Sequence, residues 1–198
     1  MEKWMPNICV IHGHPDSRQP HFCRALGKAY LEGAREAGHQ VSEIVVGDLE
    51  FDFLRSATAF ANDPAEPLMA EREKISAADH VVIIFPLWLG GAPALLKGFL
   101  EQIACGGFFL ETAESEKEFP KAKMKGKSLR IIVTMGMPSL IYNTWFGANS
   151  LKGLEKGMFG LSGFKPIRHK LIGMVETDDE ARHVRWLNSV RKLGERAI

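Results

Sequence analysis

The sequence has few cysteines, almost no net charge and no long apolar run. Its three cysteines, Cys9, Cys23 and Cys105, form no C-x-x-C pair, which is typical of the reducing cytoplasm. The 25 Lys and Arg residues balance 24 Asp and Glu residues, so nothing suggests nucleic-acid binding or a strongly acidic electron carrier. No apolar run approaches the roughly 20 residues of a membrane span. Residues 1–6 lack the basic start and apolar stretch of a signal peptide.

The length and composition predict one ordinary globular domain. A chain of 198 residues is the size of a single domain, and 45% hydrophobic with 25% charged residues is a common balance. Such a chain can bury about 70% of its unfolded surface, which is enough for a full core and a bound cofactor. We therefore expect a single domain over residues 1–198 that acts on small molecules and has no nucleic-acid partner and no membrane span.

Five short apolar runs predict the strands of a sheet. Four of them are near-continuous Val and Ile runs, as expected of parallel strands covered on both faces. The predicted strands are residues 7–12, 40–46, 80–85, 129–135 and, more weakly, 167–175.

Three helical patterns lie between or after these runs. The first repeats apolar residues three and four apart over residues 22–34 and ends at Gly38. The second starts with Pro93, and the last begins with a capping box of Thr177 and Glu180 and extends to about residue 196. Alternating strands and helices predict an α/β fold, a doubly wound parallel sheet with helices on both faces. Residues 48–63 and 106–127 exceed the usual connection length and are predicted functional loops.

The segment after the first strand, residues 12–21, is rich in hydrogen-bond donors and leads into a helix. A helix start carries free N–H groups and partial positive charge, which favours one phosphate, although a solvated turn explains the same composition. The G-x-G-x-x-G and Walker patterns are absent. A less favoured alternative is a zinc site. Its ligands would be His12, His14, His21 and Cys23.

Two further segments follow strands at the same predicted edge, where ligands of open parallel sheets bind. After the third strand, FPLWLGGAPALLKGF offers Trp88 as an aromatic wall and Gly90–Gly91 for close backbone approach to a flat ring. After the fourth strand, TMGMPSLIY predicts a turn whose amides can stabilise an anionic ring carbonyl. The alternatives are a strand-to-helix corner packed on the core and a tight turn covered by Tyr142.

These segments, with the later LKGL of residues 151–154, resemble the flavodoxin-like NAD(P)H quinone oxidoreductases in order over nearly the whole chain. The resemblance implies a five-stranded sheet of order 2-1-3-4-5 and a homodimer with shared active sites. It also implies bound FMN or FAD and two-electron reduction of quinones or similar acceptors by NAD(P)H. In that setting we expect Phe108 and Phe109 to pack at the dimer interface; the alternative is intramolecular cover for a helix.

The resemblance also carries over site residues. The cofactor-phosphate candidates are His14, Ser17, Arg18, His21, Phe22 and Cys23. The last three stand where the family usually has Ser-Phe-Asn, so Ser17 and Arg18 are the substitutes for the missing hydroxyl and amide ligands. The candidates that line the flavin ring and its ribityl chain are Pro86, Leu87, Trp88 and Leu89. The candidates beside the flavin pyrimidine are Thr134, Met135, Gly136 and Met137.

Two residues are the catalytic candidates. Tyr142 matches a tyrosine that faces flavin and substrate, and Asn149 lies nearest to the position of a histidine that many members have and this chain lacks. The predicted function is therefore an FMN-dependent NAD(P)H oxidoreductase of quinones with ping-pong kinetics, with FAD as the alternative cofactor. A flavodoxin-type electron carrier and a regulatory subunit that docks on a membrane transporter are the two other functions that this sequence leaves open.

Overall fold

The computed structural model describes residues 5–111 and 120–198. Its centre is a parallel sheet of five strands: β1 (Asn7–His12), β2 (Gln40–Val45), β3 (His80–Pro86), β6 (Ser128–Met135) and β7 (Ile167–Gly173). Two short strands, β4 (Leu110–Glu111) and β5 (Lys121–Ala122), form a separate antiparallel pair. The sheet order is β2-β1-β3-β6-β7. Because β6 and β7 are the fourth and fifth strands of the sheet, the predicted order 2-1-3-4-5 is confirmed.

Helices cover both faces of the sheet. They are α1 (Phe22–Glu36), α2 (Ala57–Ala61), α3 (Leu68–Ala77), α4 (Ala94–Ala104), α5 (Ser139–Thr144), α6 (Asn149–Lys152) and α7 (Glu180–Arg196). A π-helical segment, Gly153–Gly160, continues α6. Strand β1 sends Ile8 and Val10 to the core under α1 and α7, and Cys9 and Ile11 to the core under α3 and α4. Burial on both faces explains why the strand sequences are continuously apolar.

The start of α7 differs from the prediction. The prediction that Thr177 and Glu180 form a capping box is wrong. The helix begins at Glu180, and Asp179 caps it by accepting the Arg182 N–H at 2.9 Å. The Thr177 hydroxyl instead accepts the Asp179 N–H at 3.3 Å and closes a turn before the helix. The Asp179 carboxylate, and not the Thr177 hydroxyl, therefore caps the start of α7.

The two long stretches are not loops throughout. Residues 48–63 contain α2, which Ser56 caps by accepting the Ala59 N–H at 3.0 Å, and residues 106–127 contain the β4–β5 pair. Helices α3, α5 and α6 were not predicted either. Helices of four to six residues, such as α5 and α6, offer too few turns for an apolar repeat to stand out. Within the described residues, none of the helices is long and apolar enough to cross a membrane.

Glycines let α1 and α7 approach closely. A Cβ added at Gly194 would meet the backbone carbonyl oxygen of Tyr30, which cannot move without shifting α1. We expect Gly194→Ala to lower the free energy of unfolding by about 1 to 3 kcal/mol. The matched control is Gly157→Ala, since a Cβ there meets nothing within 4 Å. Urea denaturation should show a neutral or slightly stabilised control; equal stability of both variants would contradict the close-packed crossing.

Candidate functional site

Three loops meet at the carboxyl edge of the sheet, as the sequence predicted. Thr134, near the end of β6, joins them: its carbonyl accepts the Leu87 N–H at 2.7 Å, and its hydroxyl lies 3.0 Å from the Cys23 Sγ. The Trp88 ring then meets the His14 ring edge-on, with the ring centroids 5.7 Å apart. These contacts place the loops after β1, β3 and β6 side by side around one edge of the sheet.

The loop after β1 is folded on itself by local hydrogen bonds. The His14 and His21 rings stack with centroids 3.7 Å apart. Asp16 accepts the Arg18 N–H at 2.9 Å and places its other carboxylate oxygen 3.4 Å from His21 Nε2. The Arg18 side chain is exposed and lies 3.8 Å from Asp16, while Ser17 lines a small hollow with His14. The hydrogen bond from the Arg18 backbone N–H holds the pKa of Asp16 below its ordinary value, so the loop keeps a carboxylate at neutral pH.

The first two residues of α1, Phe22 and Cys23, pack against the core. Cys23 is buried against Thr134, and burial raises the pKa of its thiol to about 11, so it is a neutral hydrogen-bonding group. Phe22 packs on the rings of His183 and Trp186, with centroids 4.8 and 5.8 Å apart. Both side chains therefore pack on the core side of the loop.

The structure argues against the zinc alternative. His12 is buried under Gly27 of α1, and its Nε2 lies 3.2 Å from a carboxylate oxygen of Glu43 on β2. Burial also lowers the pKa of His12. Across the described part of the chain, no group of three or more His, Cys, Asp or Glu residues is arranged to hold a metal ion.

The loop after β3 presents an apolar wall. Trp88 and Gly91 exchange two backbone hydrogen bonds of 2.9 Å, and this closes a tight turn in which Leu89 and Gly90 have positive φ values of 46° and 80°. The turn leaves Trp88 49% exposed and Leu89 fully exposed, whereas Pro86 and Leu87 are half-buried. An exposed indole on a hydrogen-bonded turn is a preformed surface for a flat ring.

The loop after β6 is shorter than predicted, because α5 begins at Ser139. Met135 is buried, Gly136 is exposed and Met137 is half-buried. The expectation that Tyr142 lies on a turn over the sheet end is wrong: it is inside α5, only 2% exposed, and its hydroxyl donates to the Gly90 carbonyl at 3.5 Å. Asn149 is the exposed first residue of α6. Tyr142 therefore connects α5 to the Trp88 turn.

Sequence reasoning missed an apolar groove of about 520 Å³ beside these loops. It runs from Gly91 and Ala92 along α4 to Gly153 and Gly157 of the π-helical segment, and Phe60 of α2 lines its far end. A second hollow of about 620 Å³ adjoins it and shares Phe60. The spacing of Gly153 and Gly157 by one helical turn was the only sequence signal for an open helix face.

Phe108 and Phe109 pack within their own chain. Phe109 is 3% exposed and lies against Phe159 and Phe164, with ring centroids 6.1 and 6.3 Å apart. The Arg72 guanidinium lies over the Phe108 ring, 4.6 Å from its centroid. The expectation that these two residues start a dimer interface is wrong for Phe109, because intramolecular aromatic packing buries it. Residues 112–119 of the same long connection lie outside the described residues.

Comparisons with known proteins agree with this fold. The model of the family Flavodoxin_2, described as "Flavodoxin-like fold", matches residues 6–193. An uncharacterized NAD(P)H oxidoreductase of Haemophilus influenzae is 28% identical over 182 residues, which cover 89% of this chain and 88% of that protein. The potassium-efflux system ancillary protein KefG of Erwinia tasmaniensis, named as glutathione-regulated, is 28% identical over 140 residues, or 70% of this chain and 62% of that protein.

Solved structures share the fold at lower identity. The NAD(P)H:quinone oxidoreductase from Methanothermobacter marburgensis has a TM-score of 0.80 and 21% identity, and the match covers 97% of this chain and 98% of that one. An FMN-dependent NADH-azoreductase from Bacillus anthracis, in complex with FMN, has a TM-score of 0.72 and 18% identity, with 97% and 99% of the two chains covered. At these identities the likeness establishes the architecture.

Proposed function

The chain belongs to the flavodoxin-like fold family, and from that premise we propose that it is an NAD(P)H-dependent oxidoreductase that binds FMN and reduces a quinone or similar flat acceptor. The observation that carries this proposal is the meeting of three loops at Thr134, with a polar loop on one side and an exposed indole on the other. The H. influenzae relative, named an NAD(P)H oxidoreductase, supports the reaction class. The FMN in the B. anthracis neighbour makes FMN the first expectation and FAD the second.

The residues at this edge fit a flavin phosphate and ring. The His21 Nε2 is shielded from water, and its contact with the Asp16 carboxylate is long, at 3.4 Å, so it is able to donate to an anion. The start of α1 adds free N–H groups. Trp88 and Leu89 would cover the ring and exclude water, and the exposed backbone at Gly136 would lie near its polar edge. A bound flavin supplies the hydride chemistry, while the chain supplies position and electrostatics.

We further propose that NAD(P)H and the acceptor use the same open face in turn, which gives ping-pong kinetics. The test is the absorbance spectrum of the purified protein, identification of the released flavin, and stopped-flow measurement of the two half-reactions. Flavin reduction by NAD(P)H followed by reoxidation by a quinone is the expected result. A protein that binds no flavin when supplied with FMN or FAD would overturn the proposal.

Replacing Tyr142 tests whether its phenol assists quinone reduction or positions the Trp88 turn. We expect Tyr142→Phe to slow reoxidation by a quinone by less than about 100-fold and to leave reduction by NAD(P)H nearly unchanged. The effect should be modest because the phenol is buried and already donates to the Gly90 carbonyl, and because residues 136–166 contain no histidine to act with it. A larger loss in the NAD(P)H step would instead assign Tyr142 to positioning the Trp88 turn.

Two observations favour a second candidate, a regulatory subunit of a membrane transporter. The KefG relative is named as an ancillary protein of a potassium-efflux system. The segment between β6 and β7 also exposes large apolar side chains that a partner could cover. Co-purification of the full-length protein with a membrane transporter would support this role, whether or not the flavin turns over.

A further inference from the structure

The loop between β1 and α1 carries a negative charge at the place where the proposed function puts a phosphate. The Asp16 carboxylate accepts the Arg18 N–H and lies 3.4 Å from His21 Nε2. A carboxylate beside a phosphate dianion is repulsive unless a proton or cation stands between them. The Arg18 side chain is largely solvent-exposed, so screening weakens its compensation of this charge. The groups left to compensate are the two stacked imidazoles of His14 and His21, whose planes differ by 18°.

His14 has a hydrogen-bond partner for Nδ1 in either protonation state. The Asp16 backbone N–H lies 3.1 Å from His14 Nδ1, and the Asp16 carbonyl oxygen lies 3.0 Å from the same atom. A neutral ring can accept from the N–H, and a protonated ring can donate to the carbonyl. The loop therefore needs no rearrangement when this histidine gains a proton.

The elements around the histidine pair add little charge. Trp88 meets His14 edge-on from the loop after β3, and Gly47, after β2, lies against the His14 and Pro15 backbone. On the α1 side, the Phe22 ring packs on the His183 ring. The titratable groups that line the hollow beside the pair are Asp16, Arg24 and the buried His12 and Cys23, with Arg18 next to Asp16 and Glu43 next to His12. Of these, Asp16 contacts both rings.

We propose that phosphate binding at this loop takes up one proton at the His14–His21 pair, and that Asp16 is the positioning residue that sets the pH range of this uptake. The inference rests on the proposed function, since the phosphate is that of the flavin. Two stacked imidazolium rings repel each other, so the pair holds one proton and not two. The proton cancels one charge between the carboxylate and the phosphate.

The sign of the pH dependence follows from the same contacts. Without the phosphate, burial and the neighbouring His21 hold the pKa of His14 below its ordinary value of 6.5. A phosphate dianion beside the pair raises the pKa of the bound form. The affinity for FMN should therefore rise as the pH falls from the histidine pKa of the phosphate-bound protein towards the lower pKa of the free protein. Below a pH of about 6 the phosphate itself gains a proton and becomes a monoanion, which weakens its binding. The rise in affinity should therefore stop near that pH.

The test measures flavin binding to the full chain after removal of its flavin. Between pH 8.5 and 6.5 the Kd for FMN, from fluorescence quenching, should fall by about tenfold, corresponding to uptake of up to one proton. Riboflavin, which has no phosphate, should show no such change. Calorimetry of FMN binding at pH 7 in buffers of different ionisation enthalpy should report net proton uptake and needs no variant.

Two variants test which residues cause the pH dependence of FMN binding. Asp16→Asn keeps an oxygen for the Arg18 N–H but removes the charge, so FMN should bind several-fold tighter at pH 8.5 and the pH dependence should move to lower pH. A double variant, His14→Phe with His21→Phe, keeps a ring stack and should lose the pH dependence. FMN binding that does not change with pH, or riboflavin that follows FMN, overturns this inference and leaves the proposed function standing. Failure of FMN and FAD to bind at any pH overturns both.

Discussion

Replacing Trp88 with alanine should weaken flavin binding by about 10- to 100-fold, since stacking of a planar ring on an aromatic side chain contributes about 1 to 3 kcal/mol. The indole is half-exposed and sits on a turn closed by two backbone hydrogen bonds, so the wall exists before the flavin binds. Preorganisation of this kind means that little of the stacking energy is spent on ordering the loop. Titration of flavin fluorescence measures the change directly.

Trp88→Phe is the matched control for this prediction. It keeps an aromatic face on the same turn and should recover most of the affinity, whereas a loss caused by a disordered turn would affect both variants. Because Trp88 makes few buried contacts, neither variant should shift the midpoint of thermal unfolding by more than a few degrees. Unchanged flavin affinity in the alanine variant would remove Trp88 from the binding surface.

The family resemblance leads us to expect a homodimer with shared sites, and on that expectation Gly157→Arg should produce a monomer and lower quinone reductase activity by at least about tenfold. Gly157 lines the apolar groove beside the site, and a Cβ there meets nothing within 4 Å, so a longer side chain can leave the backbone there without a clash. The chain before it, over α5 and the residues just after α5, exposes large apolar side chains. These are Leu140, Ile141, Trp145 and Phe146. A monomer rarely leaves such a surface uncovered, and a charged side chain in the groove would oppose its burial.

Sedimentation at micromolar concentration, paired with activity, checks the assembly. Gly157→Ala should remain dimeric and active, because a methyl group meets nothing in the groove. A wild-type protein that sediments as a monomer with full activity would contradict the shared site. An arginine variant that stays dimeric would place the interface on another face of the molecule.

Local patterns explain why most of the framework could be predicted. The Val and Ile runs of β1, β3 and β6 are buried on both faces, and this produces a continuous apolar signal in any such strand. The Phe22–Glu36 helix shows its buried stripe at three- and four-residue spacing. The short helices α2, α5 and α6 have no comparable repeat, so residues 48–63 and 136–166 could not be assigned in advance.

The sequence by itself determined the strands, their parallel doubly wound arrangement and the edge at which the candidate loops meet, because strand periodicity is local and right-handed crossovers leave few topologies. The strand order came from the resemblance of the loop segments to a known family. Only the tertiary structure decided which side chains face that edge. Cys23 bonds to Thr134 across 111 residues, and Tyr142 turns inward to Gly90 across 52. Contacts between such distant residues depend on how helices settle on the sheet, and no spacing along the chain records that. The groove beside the loops also depends on how the helices pack, since its walls come from α2, α4 and the π-helical segment.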